Sequence, residues 1–327
     1  MLWVGVTSSV IFLYLAFRGR DWGQMAQLMW QANPMWLLAS LTALFASYFF
    51  RALRWWTIIR AAGHSVPYWS VFRLLLIGLA GNALLPARGG EVLRVVLLRR
   101  RAGVARSFAV GTIFIERLSD IMVMCLMIAA SALLLPLPTW VREAQATGVI
   151  LFLGALSGVL VFGILGERIV GRATALFSWI FGHRWGERIG EMISQFIAGL
   201  QTFRSLRQSL SIVGFTLLGT FCVTTSLWCV FEAFMLNVSP LGTVFVGSTQ
   251  QLASIIPTSS GLVGPYEYFS MKSLELMGKP ATVSLACITL YHFVFLVMEI
   301  ALGALAFIQD ESDLRRFWKT AKLPIED

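Results

Sequence analysis

Asn82-Ala-Leu-Leu-Pro86-Ala-Arg88-Gly89-Gly90-Glu91 and Ala253-Ser-Ile-Ile-Pro257-Thr-Ser-Ser-Gly261-Leu-Val-Gly264-Pro-Tyr-Glu267 follow one plan. An apolar stretch runs into a proline, passes through glycines and arrives at a glutamate. Proline removes a backbone donor and glycine frees the backbone, so each segment is expected to break a helix. The surrounding chain is 57% hydrophobic and 13% charged, whereas a soluble globule carries about 25% charge. A bilayer offers no water to an opened backbone, so such a break survives only inside protein or beside a wet cavity. Matched breaks in the two halves of a membrane chain point to a transport site.

A helix needs roughly 17–25 apolar residues to span a bilayer. Six stretches are expected to do so: 2–17, 35–53, 108–135, 148–165, 210–236 and 281–308. Regions 70–98 and 241–277 are apolar but interrupted, and are expected as re-entrant pairs of half-helices. The fold class is thus an all-α polytopic membrane protein, one integral domain over 1–327. It contains an inverted repeat, 35–135 against 210–308, with about six full spanning helices plus two re-entrant hairpins. The connecting region 147–208 includes an amphipathic stretch, with Ile189, Met192, Ile193, Phe196, Leu200, Phe203 and Leu206 at helical spacing, suited to the cytoplasmic interface. Met1 to Phe17 lacks a basic leader and a small-residue cleavage site, and reads as a retained first helix.

Cys125, Cys222, Cys229 and Cys287 all fall in apolar runs, which suits small core residues rather than a disulfide or metal framework. No metal or cofactor is expected. The formal charge of +9 does not indicate nucleic-acid binding, because the arginines edge the apolar spans. Positive charge favours the cytoplasmic side of a membrane. Placing both termini and regions 54–106 and 166–208 inside collects most of the arginines there, among them Arg54, Arg60, Arg94, Arg99, Arg100 and Arg101. That orientation makes the two halves run in opposite senses. A prokaryotic cytoplasmic membrane is the expected location.

Ionisable groups at membrane depth are costly and therefore candidates for function. Glu116 and Asp120 share a helix face, and Arg117 is spaced to pair with Asp120. They form either a self-neutralising structural cluster or part of a polar cavity offering a guanidinium to an anion. Arg88 precedes a half-helix whose first amides attract anions. Glu91 and Arg94 either join that site or brace each other. Asn82, Pro86, Gly89, Gly90, Pro257, Gly261 and Gly264 are the hinge residues, and Glu267 is the lone acid of the second half-helix. Ser259 and Ser260 stand where the second motif lacks an arginine. Arg51 and Arg54 are expected to snorkel to headgroups, and Trp55, Trp56 and Trp69 to sit in an interfacial belt. His292 and Glu299 share a face of the last span, as a proton relay or a structural contact.

At Pro86-Ala-Arg88-Gly-Gly-Glu91-Val-Leu-Arg94, Glu116-Arg117-Leu-Ser-Asp120, and Pro257 through Gly261-Leu-Val-Gly264-Pro-Tyr-Glu267, the chain resembles the flippase-like membrane domain of lysylphosphatidylglycerol synthases. The Arg54-Trp55 pair fits as well, and the resemblance runs over nearly the whole chain. It implies a membrane protein that moves or presents a lipid. The bifunctional synthases carry an aminoacyltransferase domain after the membrane region; a stand-alone member without it is expected here, so the resemblance does not imply lysyl transfer.

The expected function is translocation of a lipid with an anionic headgroup, a phospholipid or a polyprenyl-phosphate conjugate. Arg88, Arg94 and Arg117 would neutralise its phosphate, with Glu91, Glu116, Asp120 and Glu267 as counter-charges. The expected partners are membrane lipids, a second copy of the chain or a lipid-modifying enzyme. Two rivals remain open at this stage: an enzyme or accessory subunit acting on a lipid phosphate, and a small-solute transporter. No GxxxxGK[ST] segment is present, so the sequence gives no support for direct ATP drive.

Overall fold

The first long helix starts at residue 33. Asn33 accepts the Met35 N–H at 2.9 Å and Pro34 occupies the first helical turn, so capping and a preset φ start the helix together. The computed structural model describes residues 2–143, a few between 146 and 154, 206–253, 256 and 260–320. Its helices are α1 (Leu2–Phe17), α2 (Trp22–Gln31), α3 (Pro34–Ala61), α4 (Tyr68–Leu84), α5 (Gly89–Ala102) and α6 (Arg106–Leu134). There follow α7 (Leu206–Ala233), α8 (Pro240–Ala253), α9 (Pro265–Leu276) and α10 (Ala281–Thr320). No strand occurs among the described residues.

Among the described residues, four helices are long and apolar enough to cross a membrane: Pro34–Ala61, Arg106–Leu134, Arg207–Ala233 and Ala281–Gln309. They correspond to four of the six expected spans. The expected span 2–17 is helical but short at 16 residues, and 148–165 lies almost entirely outside the described residues, as does the amphipathic stretch. Both interrupted regions are helix–break–helix units. The first break is a 3-10 turn, Pro86–Arg88, between α4 and α5. The second lies between α8 and α9 and includes the turn Ser260–Leu262; Pro257 and Ser259 are outside the described residues.

Packing treats the two halves alike. Helix α3 lies along α7, α4 along α10, α8 along α6, and the two breaks touch each other. The α3–α7 pair runs antiparallel. Asn33 N–H donates to Ala233 O, the Ser40 and Ser226 hydroxyls meet at 2.8 Å, Ser47 faces Gly219, and Arg54 reaches Thr216. Small residues at this seam let two backbones approach where lipid supplies no hydrophobic drive. The apolar core divides accordingly. One cluster, with Phe231, Met271 and Leu285, sits under α7, α9 and α10. Another, with Tyr48, Trp55 and Leu75, sits under α3, α4 and α6.

Two glycines are dictated by this packing. A Cβ on Gly90 would collide with Gly78 O and crowd Asn82, so α5 folds back onto α4 only with glycine there. Gly264 has φ +106°, and a Cβ there would lie 2.5 Å from Ser9 O of α1. Arg88, by contrast, takes the left-handed region without glycine, at φ 56° and ψ 40°. Such a conformation costs on the order of 1–3 kcal/mol and clusters at functional sites.

Candidate functional site

The chemistry gathers where α3, α5, α6 and α7 meet beside the first break. Arg54 of α3 is buried and spans both acids of α6, with Nη1 2.5 Å from Asp120 Oδ1 and Nη2 3.4 Å from Glu116 Oε1. The same Nη1 donates to Thr216 of α7 at 3.3 Å. Arg94 of α5 is also buried, 2.5 Å from the other oxygen of Glu116, and its guanidinium lies 3.8 Å from the centre of the Trp55 ring. Trp55 in turn donates to Thr112 at 3.0 Å. Within this cluster each buried charge is therefore met by an opposite one, the condition under which charge is tolerated in an apolar interior.

Towards the break the network opens. Arg117 Nη1 lies 3.5 Å from Asp120 Oδ2, and its Nε lies 3.2 Å from Glu91 Oε1, off the angle of a hydrogen bond. Arg88 Nη1 stands 3.8 Å from the same Glu91 oxygen. The side chains of Arg88 and Arg117 are 44% and 30% exposed, so these two guanidiniums present donors at the surface of the cluster. Asn82 Oδ1 is buried nearby with no hydrogen-bond partner. The result is an alternating chain, Arg94–Glu116–Arg54–Asp120–Arg117–Glu91–Arg88, whose one end is sealed and whose other end faces out. Among the described residues, this chain joins four arginines to three carboxylates.

The geometry corrects several expectations. Arg54 does not snorkel and Trp55 does not belong to an interfacial belt: both are buried inside the protein, because two carboxylates and a threonine draw them in. Trp69 is 60% exposed, as a belt residue would be. Arg94 does not brace Glu91; it turns to Glu116, while Glu91 takes Arg117 and Arg88. The predicted pairing of Arg117 with Asp120 is present, and Glu116 and Asp120 do share a face, directed at Arg54.

Glu267 stands apart from this arginine chain. It accepts the Gly264 N–H at 2.7 Å, closing the first turn of α9, and its other oxygen lies 2.5 Å from His292 Nδ1. The Tyr266 ring packs on His292 at 4.1 Å between centroids. Sequence reasoning placed Glu267 among the counter-charges for arginine and His292 beside Glu299. The signal for the true pair was available in the repeat itself: Glu91 and Glu267 each stand third in the half-helix after a break, and Arg117 and His292 stand at the same point of α6 and α10. No cluster of metal-ligating side chains occurs among the described residues.

Comparison with known proteins places the chain. The family described as the lysylphosphatidylglycerol synthase TM region matches residues 2–303, and the chain belongs to it. A UPF0104 membrane protein of Methanocaldococcus jannaschii is 26% identical over 244 residues, covering 74% of this chain and 98% of its own length. A second UPF0104 membrane protein from that organism is 21% identical, covering 94% and 96% of the two chains. The glycosyltransferase AglD of Haloferax volcanii is 24% identical over 319 residues; the match spans 89% of this chain but 51% of the glycosyltransferase. No solved structure shows significant similarity to the chain. Family and helices together make this a multi-pass membrane protein.

Proposed function

We propose that this member of the lysylphosphatidylglycerol synthase membrane-region family translocates a lipid with an anionic headgroup, as a transporter rather than a catalyst. The observation that carries the reading is the pair of part-exposed guanidiniums, Arg88 and Arg117, that flank Glu91 at the open end of the cluster. Arg54 and Arg94 are occupied by Glu116 and Asp120, so Arg88 and Arg117 are the phosphate ligands, and Glu91 holds them together until a headgroup arrives. Paired guanidiniums suit phosphate oxygens because their planar donors match two acceptors at once.

An apolar cleft of about 520 Å³ between α3 and α10, lined by residues including Leu41, Phe45, Phe293, Val297 and Leu302, suits the hydrocarbon chains. The headgroup crosses along the breaks while the tails stay in hydrocarbon. The antiparallel course of α3 and α7 and the matched breaks support an inverted repeat, and with it alternating access by rocking of one half against the other. In this reading the two helix–break–helix units are re-entrant. Both termini are cytoplasmic, since the arginine bias remains after Arg54 and Arg94 are moved to the interior. The membrane is the prokaryotic cytoplasmic one, consistent with archaeal relatives. Partners are anionic lipids and, beyond them, a second copy of the chain or a lipid-modifying enzyme.

The test is headgroup-selective movement in proteoliposomes. Fluorescent phosphatidylglycerol, labelled on an acyl chain, is quenched from outside, and phosphatidylcholine with the same label serves as the zwitterionic control. Faster movement of the anionic probe, lost in Arg117→Gln, is expected. Rates equal to those of empty vesicles for both probes would sink the reading.

A further inference from the structure

The second break carries a buried acid–base pair outside the arginine chain. Glu267 of α9 and His292 of α10 are 4% and 2% exposed, and the imidazole Nδ1 lies 2.5 Å from one carboxylate oxygen. The other carboxylate oxygen accepts the Gly264 N–H at 2.7 Å, and the Tyr266 ring covers the imidazole at 4.1 Å. A carboxylate only accepts, so a neutral imidazole presents its hydrogen on Nδ1 and leaves Nε2 bare. In that state the pair carries one negative charge, and one more proton makes it neutral. Among the described residues, no arginine or lysine forms an ion pair with Glu267.

The helices packed around the pair supply few other titratable groups. On α9, Lys272 and Glu275 pair with each other, and Glu275 also meets Arg20. Helix α10 adds Cys287, Tyr291 and Glu299, and α7 adds Cys222, Cys229 and Glu232. Tyr14 of α1 is 60% exposed, Tyr68 and Arg73 stand near the start of α4, and α2 and α8 carry no ionisable side chain.

Contacts join the pair to the arginine-bearing break. Gly264, which Glu267 holds, follows the Ser260–Leu262 turn, and that turn lies against the Pro86–Arg88 turn. A Cβ at Gly261 of the same turn would stand 3.2 Å from Leu296, one helical turn beyond His292, and 3.5 Å from Ala83 O. Glu267 thus fixes the start of α9, and His292 ties it to the helix on which the turn rests.

We propose that the Glu267–His292 pair is the proton-binding site that drives the lipid; this rests on the lipid-translocation reading. The proton bonds to the bare Nε2 lone pair, while Nδ1–H stays hydrogen-bonded to the carboxylate. Unprotonated, the pair sets a negative charge behind the turn that meets Arg88, and an anionic headgroup is repelled there. Protonated, the pair is neutral and the headgroup passes the contact between the breaks. A singly charged lipid anion and a proton move in the same direction, with no net charge carried. Loss of the proton from Nε2 on the far side restores the barrier. A buried negative charge without a cation is costly, so closing the breaks favours the protonated pair.

Two measurements decide it. In vesicles of phosphatidylcholine and phosphatidylglycerol, the transbilayer distribution of fluorescent phosphatidylglycerol is followed under an imposed pH difference. At one proton per lipid, each pH unit shifts the distribution about tenfold towards the alkaline side. Glu267→Gln keeps an oxygen for Gly264 and an amide for His292, but removes the negative charge that the proton must cancel. It is expected to give the same distribution whichever side is acidic. A response that survives in Glu267→Gln leaves the pair a structural cap and overturns the site. Separately, nitrogen NMR of histidine-labelled protein in lipid discs follows His292, identified by its loss in His292→Gln. Its signals are expected to change between about pH 5 and pH 8, and fixed signals overturn the proton site whether or not lipid moves. A wild-type distribution indifferent to pH, or driven instead by sodium, overturns the coupling while leaving lipid translocation standing. If no lipid moves, translocation itself fails and the coupling with it, and the His292 signals still decide the proton site.

Discussion

At the first break Glu91 is held by Arg117 and Arg88, two permanently charged partners in a half-open setting. At the second break the equivalent Glu267 is buried, tied to its own helix start and to His292, a base that is charged only when protonated. The backbone plan is the same and the electrostatics are opposite. On the proposed reading, an inverted repeat places two similar scaffolds around one path, and substitution within each scaffold lets one half hold an anion while the other seals. The two glutamates teach that a position shared by both halves fixes where a charge stands, whereas its partner on the neighbouring span decides what that charge does.

The sharpest way to break the comparison is at Arg54. Replacing it by leucine leaves Glu116 and Asp120 facing each other with one fewer cation, and a loss of about 3–5 kcal/mol is expected, read as a lowered unfolding temperature in detergent. His292→Leu at the second break is expected to cost less, because a single stranded Glu267 can take up a proton. If the two substitutions proved equally damaging, the contrast between permanent and titratable partners would be lost.

Next in size are the two glycines. Gly90→Ala forces a methyl group into Gly78 O, and separation of α4 from α5 should cost roughly 1–3 kcal/mol. Gly264→Ala meets Ser9 and an unfavourable φ, and is expected to loosen α1, read as faster protease cleavage after α1. Cleavage that stays at the wild-type rate would show that α1 does not depend on this contact.

Arg117→Gln tests the open end. Charged hydrogen bonds are worth about 1.5–3 kcal/mol, so anionic-lipid movement should fall by roughly tenfold or more while the unfolding temperature changes little. Arg88→Gln is the smallest effect expected, a few-fold slowing that fades as salt rises, because its side chain is the more exposed. A larger effect at Arg88 than at Arg117 would move the phosphate out to the turn itself.

Much of the framework was legible in the chain. Composition and run length specify a helical membrane protein, and the two proline–glycine stretches mark helix breaks without reference to any structure. Local chemistry also locates Arg117 against Asp120, since three residues on a helix bring side chains together. Glu91 and Glu267 were recognisable as equivalents for the same local reason: each follows a break at fixed spacing.

What spacing within a single helix left unread was the choice of partners across helices. Arg54 reads in sequence as one more arginine at the end of an apolar span, and only the crossing of α3 with α6 and α7 buries it among Asp120, Glu116 and Thr216. Arg94 turned from Glu91, its neighbour by spacing, to Glu116, and Glu267 found His292. Periodicity is a property of one helix and is written in its residues. Which charges meet at the centre depends on how far and at what angle separate helices approach, and the cost of leaving a buried charge unpaired makes that choice at the level of the whole fold.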